Sequence, residues 1–268
     1  MPPHGNQTDR EIYQAPGEIA SLVRPRRVDH VRSSKEIIRH TMFKLGAGGL
    51  LDQYTKRKGY LIPYADSQDT GAIFRKIYAS GGWVHSETQE SLSGPGSSLA
   101  ATSGLFSAVV KVMEMLGCRS LVDVGCGDWN WMSKEDIQIA YTGVDIVREV
   151  IEKNSRHSRE NVKFLVCDAT QTPLPRADMV LCREILFHLS FNDAMKVLSN
   201  IRQTSSYICA TTDTANWFNS DIRTGGFRLL NLFRAPFKFP DPIYLIDDSA
   251  MSPGRFLAVW QSHLIPQA

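Results

Sequence analysis

A glycine turn constrains the fold of this 268-residue chain more than any other feature of the sequence. It closes the segment LVDVGCG at 121–127, whose leucine and valines predict a short strand that is buried on both faces. Gly125 and Gly127 interrupt this strand, and a residue without a Cβ lets the backbone approach a ligand closely. The segment therefore predicts a strand of a parallel sheet with a ligand-binding turn at its carboxyl end.

Asp145 stands eighteen residues after Gly127, at the end of a second apolar segment. A carboxylate there can accept hydrogen bonds from both hydroxyls of a ribose, so the turn and the carboxylate together predict a nucleoside site. A dinucleotide site would need a third glycine three residues after Gly127, where this chain has Asn130. Asp128 would also place a negative charge where a diphosphate would lie, and a cationic ligand suits Asp123 and Asp128 better. The pattern therefore favours a cationic nucleoside without phosphates, such as S-adenosylmethionine.

Four segments resemble, in the same order, the motifs of class I S-adenosylmethionine-dependent methyltransferases. LVDVGCG resembles the first motif, and the other three are YTGVDIV at 141–147, VKFLVCDAT at 162–170 and ADMVLCREILFHLS at 177–190. Trp129 is a departure, because many members of the family have a third glycine at this place. The segments SGPGSSLAAT at 93–102 and CREILFHLS at 182–190 resemble bacterial enzymes that modify sugars or other small molecules of surface-glycan pathways.

Apolar segments alternate with segments of helical spacing from residue 120 onward, which predicts an α/β fold with helices on both faces of a mostly parallel sheet. The resemblance implies a Rossmann-like sheet of seven strands whose last strand is antiparallel. The predicted strands are 120–124, 140–144, 162–166, 178–182, 206–211, 243–247 and 255–261. The predicted helices are 72–78, 99–116, 129–136, 147–157 and 191–203. Residues 213–239 form a long irregular connection, which in a compact domain is usually functional.

The chain is predicted to divide into an N-terminal extension and lid, 1–98, and a cofactor-binding methyltransferase domain, 99–268. Ser97 or Ser98 is expected to cap the helix at 99–116, and Gly117 is expected to end it. The first 28 residues are polar and aperiodic, which predicts a loosely held arm and no signal peptide. A basic cluster of this kind is more often solvated than bound to phosphate. Its members are Arg24, Arg26, Arg27 and Arg32.

Ligands of an open α/β sheet bind beyond the carboxyl ends of its strands. Asp145 is expected to bind the ribose, and its alternative role is to cap the next helix. The resemblance implies that Asp168 and Ala169 hold the adenine amino group, and the alternative for Asp168 is a turn or cap. The predicted cofactor-binding residues are Asp123, Gly125, Gly127, Asp128, Trp129, Asp145, Ile146, Asp168, Ala169 and Cys182.

His188 follows the fourth predicted strand and is the predicted general base, because an imidazole titrates near neutral pH. Its alternative role is a hydrogen bond that holds the loop. Arg183 and Glu184 lie in the same loop and are predicted as catalytic residues that contact the acceptor. They could equally pair with each other.

The segment TANWFNSDIRTGG at 214–226 predicts an acceptor-binding surface, since aromatic faces and polar side chains together bind sugars. Its predicted contacts are Trp217, Asn219, Asp221 and Arg223. Trp83 is predicted either to close over the ligand or to fill the edge of the core. DPIY at 241–244 resembles a motif of nucleic-acid amino-methyltransferases, but it does not follow the fourth strand as it does in those enzymes.

The composition of the chain limits which binding partners and metal ions can be expected. A net charge of +2 gives no indication of nucleic acid, and no apolar run is long enough to cross a bilayer. The cysteines lack metal-ligand spacing, which predicts buried thiols in a reducing cytoplasm. These are Cys118, Cys126, Cys167, Cys182 and Cys209. The carboxylates that could hold a divalent ion have no spacing that requires one, so no metal is predicted. They are Asp213, Asp221, Asp247 and Asp248.

The sequence thus predicts a soluble cytoplasmic enzyme that transfers a methyl group from S-adenosylmethionine to a small-molecule acceptor. An oxygen of a sugar or glycan precursor is the preferred acceptor. The alternatives are a nucleic-acid methyltransferase that uses the basic arm and a scaffold that binds the cofactor without turnover. The oligomeric state is not predicted.

Overall fold

A computed structural model describes residues 41–42, 45, 50, 67, 69–84 and 89–266. The predicted N-terminal arm and its arginine cluster lie outside the described residues. From Asp69 onward the description is continuous except for residues 85–88 and the last two residues of the chain.

The fold is built on seven strands: β1 Ser120–Val124, β2 Ala140–Asp145, β3 Val162–Val166, β4 Ala177–Cys182, β5 Ser205–Asp213, β6 Tyr244–Asp247 and β7 Arg255–Gln261. They form one sheet in the order β3-β2-β1-β4-β5-β7-β6. Strands β1 to β5 are parallel, and β7 runs antiparallel to both β5 and β6. The predicted Rossmann-like sheet is confirmed, and every strand ends within two residues of its predicted range.

Four α-helices accompany the sheet in the described part of the chain: α1 Thr70–Ala79, α2 Leu105–Met115, α3 Arg148–Asn154 and α4 Phe191–Thr204. Ser190 caps α4 by accepting a hydrogen bond from the backbone N–H of Asp193. Helix α2 ends as predicted, because Gly117 adopts a left-handed φ of 68° and the Cys118 N–H reaches the Met113 carbonyl.

Three helix predictions differ from the structure. The helix predicted at 147–157 is α-helical only to Asn154 and continues as a 3₁₀ turn, Ser155–His157. The helix predicted at 99–116 begins only at Leu105, because Gly104 has a left-handed φ of 72° and interrupts it. Ser98 accepts a hydrogen bond from the Ala101 N–H and caps the turn before Gly104. The helix predicted at 129–136 shrinks to a 3₁₀ turn, Met132–Lys134. Trp129 has a φ of 55°, and a left-handed residue cannot continue a right-handed helix.

The core lies on both faces of the sheet, because alternate residues of a strand point to opposite sides. Val122 and Val124 of β1 pack with Ile73 and Phe74 of α1 and with α4. Leu121 packs on the other face with α2. Helix α1 therefore belongs to the same core as the sheet, although it lies in the segment predicted as an extension.

Residues 214–243 contain no helix or strand and are nevertheless held firmly. The Gly225 N–H donates to the His188 carbonyl, and the Arg228 N–H donates to the Phe187 carbonyl. Leu230 and Phe237 are buried in the core. This connection thus lies against the segment that follows β4, which places it beside the predicted catalytic loop.

No helix among the described residues is both long enough and apolar enough to span a bilayer.

Candidate active site

The strand order arranges the predicted site residues in a row along the carboxyl edge of the sheet. Asp168 follows β3, Asp145 ends β2, the glycine turn follows β1, and Glu184 follows β4. Chain connections leave the sheet in opposite directions on the two sides of β1, which is where a ligand binds in such a fold. His188 lies one short turn beyond Glu184.

The glycine turn is shaped by its protein neighbours. Gly125 has a φ of 70° and Gly127 a φ of 57°, which a residue with a side chain rarely adopts. A Cβ on Gly125 would lie 2.8 Å from the Cδ1 of Ile185, and one on Gly127 would collide with the hydroxyl of Ser93. Both glycines are therefore required by close packing around the turn, in addition to any approach of a ligand.

Asp145 joins the turn to the start of α3. One of its oxygens accepts from the Gly127 N–H at 3.1 Å, and the other accepts from the Val147 N–H at 2.9 Å. Burial raises the pKa of this carboxyl from 3.8 to about 6, against the opposing effect of these two N–H groups. A carboxylate can accept about four hydrogen bonds, so Asp145 has capacity left for a diol.

Asp123 lies within strand β1, and its side chain is inside the protein. It is buried and accepts a hydrogen bond of 2.7 Å from the Tyr141 hydroxyl. Burial raises its pKa to about 7. Cys182 is completely buried beside it, and burial raises the pKa of this thiol as well. That Asp123 and Cys182 contact the cofactor remains a prediction.

The Asp128 side chain binds a segment that we call the strap, Ser91–Ser98. Its carboxylate accepts from the hydroxyls of Ser91 and Ser93, both at 2.9 Å, and from the Leu92 N–H at 2.6 Å. In return the Asp128 N–H donates to the Ser93 hydroxyl at 2.9 Å. Asp128 thus fixes the strap directly above the glycine turn.

Trp129 and Ile146 point into packed surroundings. The Trp129 ring is 3% exposed and packs edge-on against Phe164 with 5.0 Å between ring centroids, so its bulk lies in the core. Ile146 packs against the core beside Gly71 of α1.

Asp168 forms a local turn. One oxygen accepts from the backbone N–H and the hydroxyl of Thr170, and the other accepts from the Gln171 amide at 2.7 Å. Ala169 is buried, and its carbonyl accepts from the Asn200 amide. The turn role considered for Asp168 is thus present, and an adenine contact remains a prediction.

Beyond β4 and β5, buried arginine and acidic side chains alternate in a row of ion pairs, which we call the buried chain. Arg183 binds both oxygens of Asp248, at 2.9 and 3.1 Å, and lies 3.8 Å from Glu184. Arg255 binds Glu184 and also Asp213, the latter at 3.4 Å. The chain contains three carboxylates and two guanidinium groups, so its formal charge is negative. The pairing of Arg183 with Glu184 exists, but Asp248 is the stronger partner of Arg183.

Glu184 is held in an unusual backbone conformation. Its φ is 56°, and its backbone N–H donates to the Thr211 hydroxyl at 2.9 Å. Its carboxylate lies against Gly96 of the strap, where a Cβ would collide with it. A strained residue that its surroundings over-determine is often part of a functional site.

Substituting Asp248→Asn should destabilise the protein by about 2 kcal/mol, because the buried Arg183 charge would lose its closest carboxylate and keep only Glu184, at 3.8 Å. Urea unfolding measures this change. Glu149→Gln is the matched control, since Glu149 pairs with Arg75 at the surface, where both side chains are more than half exposed. That change should stay within about 0.5 kcal/mol. Equal effects of the two substitutions would contradict the importance of the buried chain.

His188 lies between aromatic rings. Its centroid is 5.1 Å from that of Trp83 and 5.7 Å from that of Phe227. The Nδ1 atom is 2.9 Å from the Gly226 carbonyl, which can only accept, so Nδ1 carries the proton. Burial lowers the pKa of His188 from 6.5 to about 4. The ring is therefore neutral and its Nε2 keeps a free lone pair, which is the state that a general base requires.

The predicted acceptor residues divide into two groups. Asn219 is buried and binds the backbone of Asn231 and Ala235, and Asp221 accepts from the Phe191 N–H at the start of α4, so both hold the connection in place. Trp217 is 61% exposed and Arg223 is exposed. Only the second pair is displayed at the surface.

The structure adds residues that the sequence analysis did not select. Phe227, half exposed beside His188, stands one position beyond the segment selected for acceptor binding. Tyr78, Ser93 and Arg255 join the site through side-chain contacts that cross 15 to 71 positions of the chain. No local pattern marks such residues, because their partners are distant in sequence.

The described residues contain no cluster of three or more histidine, cysteine or acidic side chains suited to a metal ion. The carboxylates considered for that role have other partners. Asp213 and Asp248 bind arginines, Asp221 accepts from the Phe191 N–H, and Asp247 accepts from the Ser249 N–H.

Residues 122–205 match a protein family described as a methyltransferase domain. This match confirms the predicted enzyme class, an S-adenosylmethionine-dependent methyltransferase. No curated protein sequence matches the chain.

Several solved structures are similar to parts of the chain. Magnesium protoporphyrin IX methyltransferase from Synechocystis PCC 6803, with bound S-adenosylmethionine, is 17% identical over 55% of this chain and 77% of its own, with a TM-score of 0.41. The N-methyltransferase NodS from Bradyrhizobium japonicum WM9 is 11% identical over 60% and 98%, with a TM-score of 0.42. The methyltransferase domain of bacterial CtHen1 is 18% identical over 42% and 67%, with a TM-score of 0.37.

Proposed function

We propose that this methyltransferase acts on a hydroxyl group of a small molecule, with a sugar or glycan precursor as the preferred acceptor, in the cytoplasm. The observation that carries the proposal is the state of His188. Its Nδ1 proton is committed to the Gly226 carbonyl, so Nε2 can take the proton that a hydroxyl must lose. An amine that is already neutral has less need of such a base. The buried free thiols suit a reducing compartment.

The residues along the sheet edge fit the cofactor. Asp145 can accept from the two ribose hydroxyls with its unused lone pairs, while its present bonds keep the glycine turn in place. The negative chain around Glu184 suits a ligand that carries positive charge. The bound cofactor would supply a methyl group on a positively charged sulfur.

The acceptor side fits a molecule with both apolar faces and hydroxyls. Trp83 and Phe227 both lie beside His188, and aromatic side chains bind sugar rings. Holding the acceptor beside the base supplies much of the rate, because well-oriented groups can gain roughly 7–11 kcal/mol.

The test is mass spectrometry of reactions that contain methyl-labelled cofactor and a panel of nucleotide sugars, glycan fragments, amines, RNA and DNA. A labelled sugar hydroxyl supports the proposal. Label on an amine or on nucleic acid would overturn the acceptor class and leave the enzyme class standing. Cofactor binding without product from any member of the panel would favour a non-catalytic scaffold. The Asp145→Asn variant serves as the control for label that does not depend on the cofactor site.

Binding of S-adenosylhomocysteine should weaken as the pH falls through about 6. Burial raises the pKa of Asp145 to that value, and only the ionised carboxylate can accept from both ribose hydroxyls. The affinity should be constant above about pH 7 and should fall roughly tenfold for each pH unit below the pKa. Calorimetry at pH 5, 6, 7 and 8 measures the change, with circular dichroism at each pH to show that the chain remains folded. An affinity that stays constant down to pH 5 would contradict the role of Asp145.

A further inference from the structure

Arg255 joins the last part of the sheet to the loop that carries His188. It is the first residue of β7 and lies opposite Asp213 in the antiparallel pairing of β5 and β7. Its guanidinium donates to Asp213 at 3.4 Å and to the Glu184 carboxylate, and the whole side chain is buried. Seven paired residues fix the register of the two strands, so Arg255 presents a fixed donor group to the loop after β4.

The same guanidinium contacts the ring of Phe187. Its Cζ atom lies 5.4 Å from the ring centroid, which is within the range of a cation–π contact. Phe187 is buried and packs edge-on against His188, with 4.7 Å between the two ring centroids. Arg255 therefore holds the loop at Glu184 and at Phe187, and the second of these residues adjoins His188 both in sequence and in space.

The loop needs such contacts because it has little regular structure of its own. Leu186–His188 is one 3₁₀ turn, and a single helical turn is not stable without tertiary contacts. The connection after β5 holds this turn at His188, whose Nδ1 donates to the Gly226 carbonyl. Arg255 provides a second attachment, which comes from the sheet.

We propose that Arg255 is a positioning residue for methyl transfer, which fixes the place of the His188 ring and thereby the distance from its Nε2 atom to the acceptor hydroxyl. It acts through its contacts with Glu184 and Phe187. The proposal rests on the proposed function, in which His188 is the base. A displacement of about 1 Å at a reacting group can cost roughly a hundredfold in rate, so a residue that does not touch the substrate can control turnover.

Arg255 also acts on the charge of His188, which gives its role a signature in the pH dependence of turnover. Burial contributes most to the low pKa of His188, and the charges of Arg228 and Arg255 lower it further. The Gly226 carbonyl and the Glu184 carboxylate act in the opposite direction, and the aromatic neighbours carry no charge. Removing the charge of Arg255 should therefore raise the pKa of His188, whereas lysine at this position should leave it nearly unchanged.

The experiment measures turnover at saturating cofactor from pH 4 to pH 8, with the acceptor that gives the most labelled product. Arg255→Lys keeps the charge but loses the planar fork that spans two carboxylates and lies over a ring. Its turnover should fall about tenfold, and its decline at low pH should stay near pH 4. Arg255→Gln should be at least as slow, and its decline should begin about half a pH unit or more above that of the unmodified protein.

Two controls separate positioning from support of the whole fold. Arg75→Gln should match the unmodified protein, because Arg75 pairs with Glu149 at the surface and both side chains are more than half exposed. In calorimetry, each Arg255 variant should bind S-adenosylhomocysteine within about twofold of the unmodified protein, since Asp145 and the glycine turn lie on the other side of β4. Thermal unfolding shows that each variant is folded.

Phe187→Leu tests the same attachment if the Arg255 variants do not fold. It keeps an apolar side chain in the core but removes the ring that lies between Arg255 and His188. Turnover should again fall about tenfold, while the decline at low pH should not move, because no charge is changed.

The outcomes divide as follows. Full turnover of Arg255→Lys or of Phe187→Leu would overturn the proposal, and so would a pH profile of Arg255→Gln that does not move. A loss of cofactor affinity equal to the loss of turnover would overturn it too, since it would show support of the whole fold. His188→Gln is the reference. If it is fully active, the proposed base fails together with this proposal, and if it is slow while Arg255→Lys is fast, only the role of Arg255 fails.

Discussion

Substituting Asp145→Asn is expected to weaken the binding of S-adenosylhomocysteine about a thousandfold, because two hydrogen bonds from ribose hydroxyls to a buried carboxylate are lost. The asparagine amide can accept at only one atom, while Asp145 already accepts from the N–H groups of Gly127 and Val147. The amide would also present its own N–H to one of these donors. The loss therefore includes the ligand contacts and part of the order of the turn.

A matched control separates these two contributions. Asn154 donates to the Gly127 carbonyl at 2.8 Å and holds the same turn from α3, without facing the ligand as a carboxylate. Asn154→Ala should loosen the turn and weaken S-adenosylhomocysteine no more than about tenfold. Calorimetry of both variants, with thermal unfolding to show that each is folded, makes the comparison. If the two substitutions cost the same affinity, Asp145 acts by shaping the turn and the ribose contact is wrong.

The sequence was sufficient for those parts of the fold that depend on local spacing. All seven strands lie close to their predicted ranges because each is a short apolar segment bounded by turn residues. The row of Asp168, Asp145 and the glycine turn followed from one rule, that parallel strands bring their carboxyl ends to one edge. A site built at the ends of consecutive strands is therefore visible before the structure is known.

The partners of polar side chains were not predictable in the same way. Asp128 looked like a ligand contact by its position, yet its carboxylate binds the strap, which lies more than thirty positions earlier in the chain. Asn219 and Asp221 looked like acceptor contacts, yet Asn219 binds backbone groups of the irregular connection and Asp221 accepts from the Phe191 N–H of α4. A buried N–H or carbonyl must find a partner, and a polar residue in a long loop is often that partner. Only the tertiary structure shows whether such a residue binds a ligand or a backbone group of its own protein.

Burial divides the charged residues of the site into two kinds. The chain from Asp248 to Asp213 is inside the protein and neutralises most of its own charge, so its members fix the geometry of the edge beyond β4 and β5. Arg183 acts mainly through this chain. Both oxygens of Asp145 accept from backbone N–H groups and keep further lone pairs for a ligand, whereas His188 is held by the backbone at Nδ1 and leaves Nε2 for a ligand. These two residues are consequently the ones whose loss should affect binding and turnover most directly.

Substituting His188→Ala is expected to slow methyl transfer about a hundredfold while leaving the affinity for S-adenosylhomocysteine within about twofold. The base is already in its neutral form, because burial lowers its pKa to about 4, but so low a pKa also makes it a weak base. Its contribution therefore lies at the lower end of the range for general bases. With saturating cofactor, turnover should stay level from pH 8 to about pH 5 and decline only as the pH approaches 4.

Two further variants distinguish proton transfer from packing. His188→Gln can still donate to the Gly226 carbonyl and fill part of the space beside Trp83, but it has no basic nitrogen. If His188 removes the acceptor proton, His188→Gln should be as slow as His188→Ala, whereas a residue that only holds the loop would be largely replaced by glutamine. His263→Ala, at an exposed position near the end of the chain, should be as fast as the unmodified protein. Turnover is measured with the acceptor that gives the most labelled product, and full activity of His188→Gln would remove the base from the mechanism.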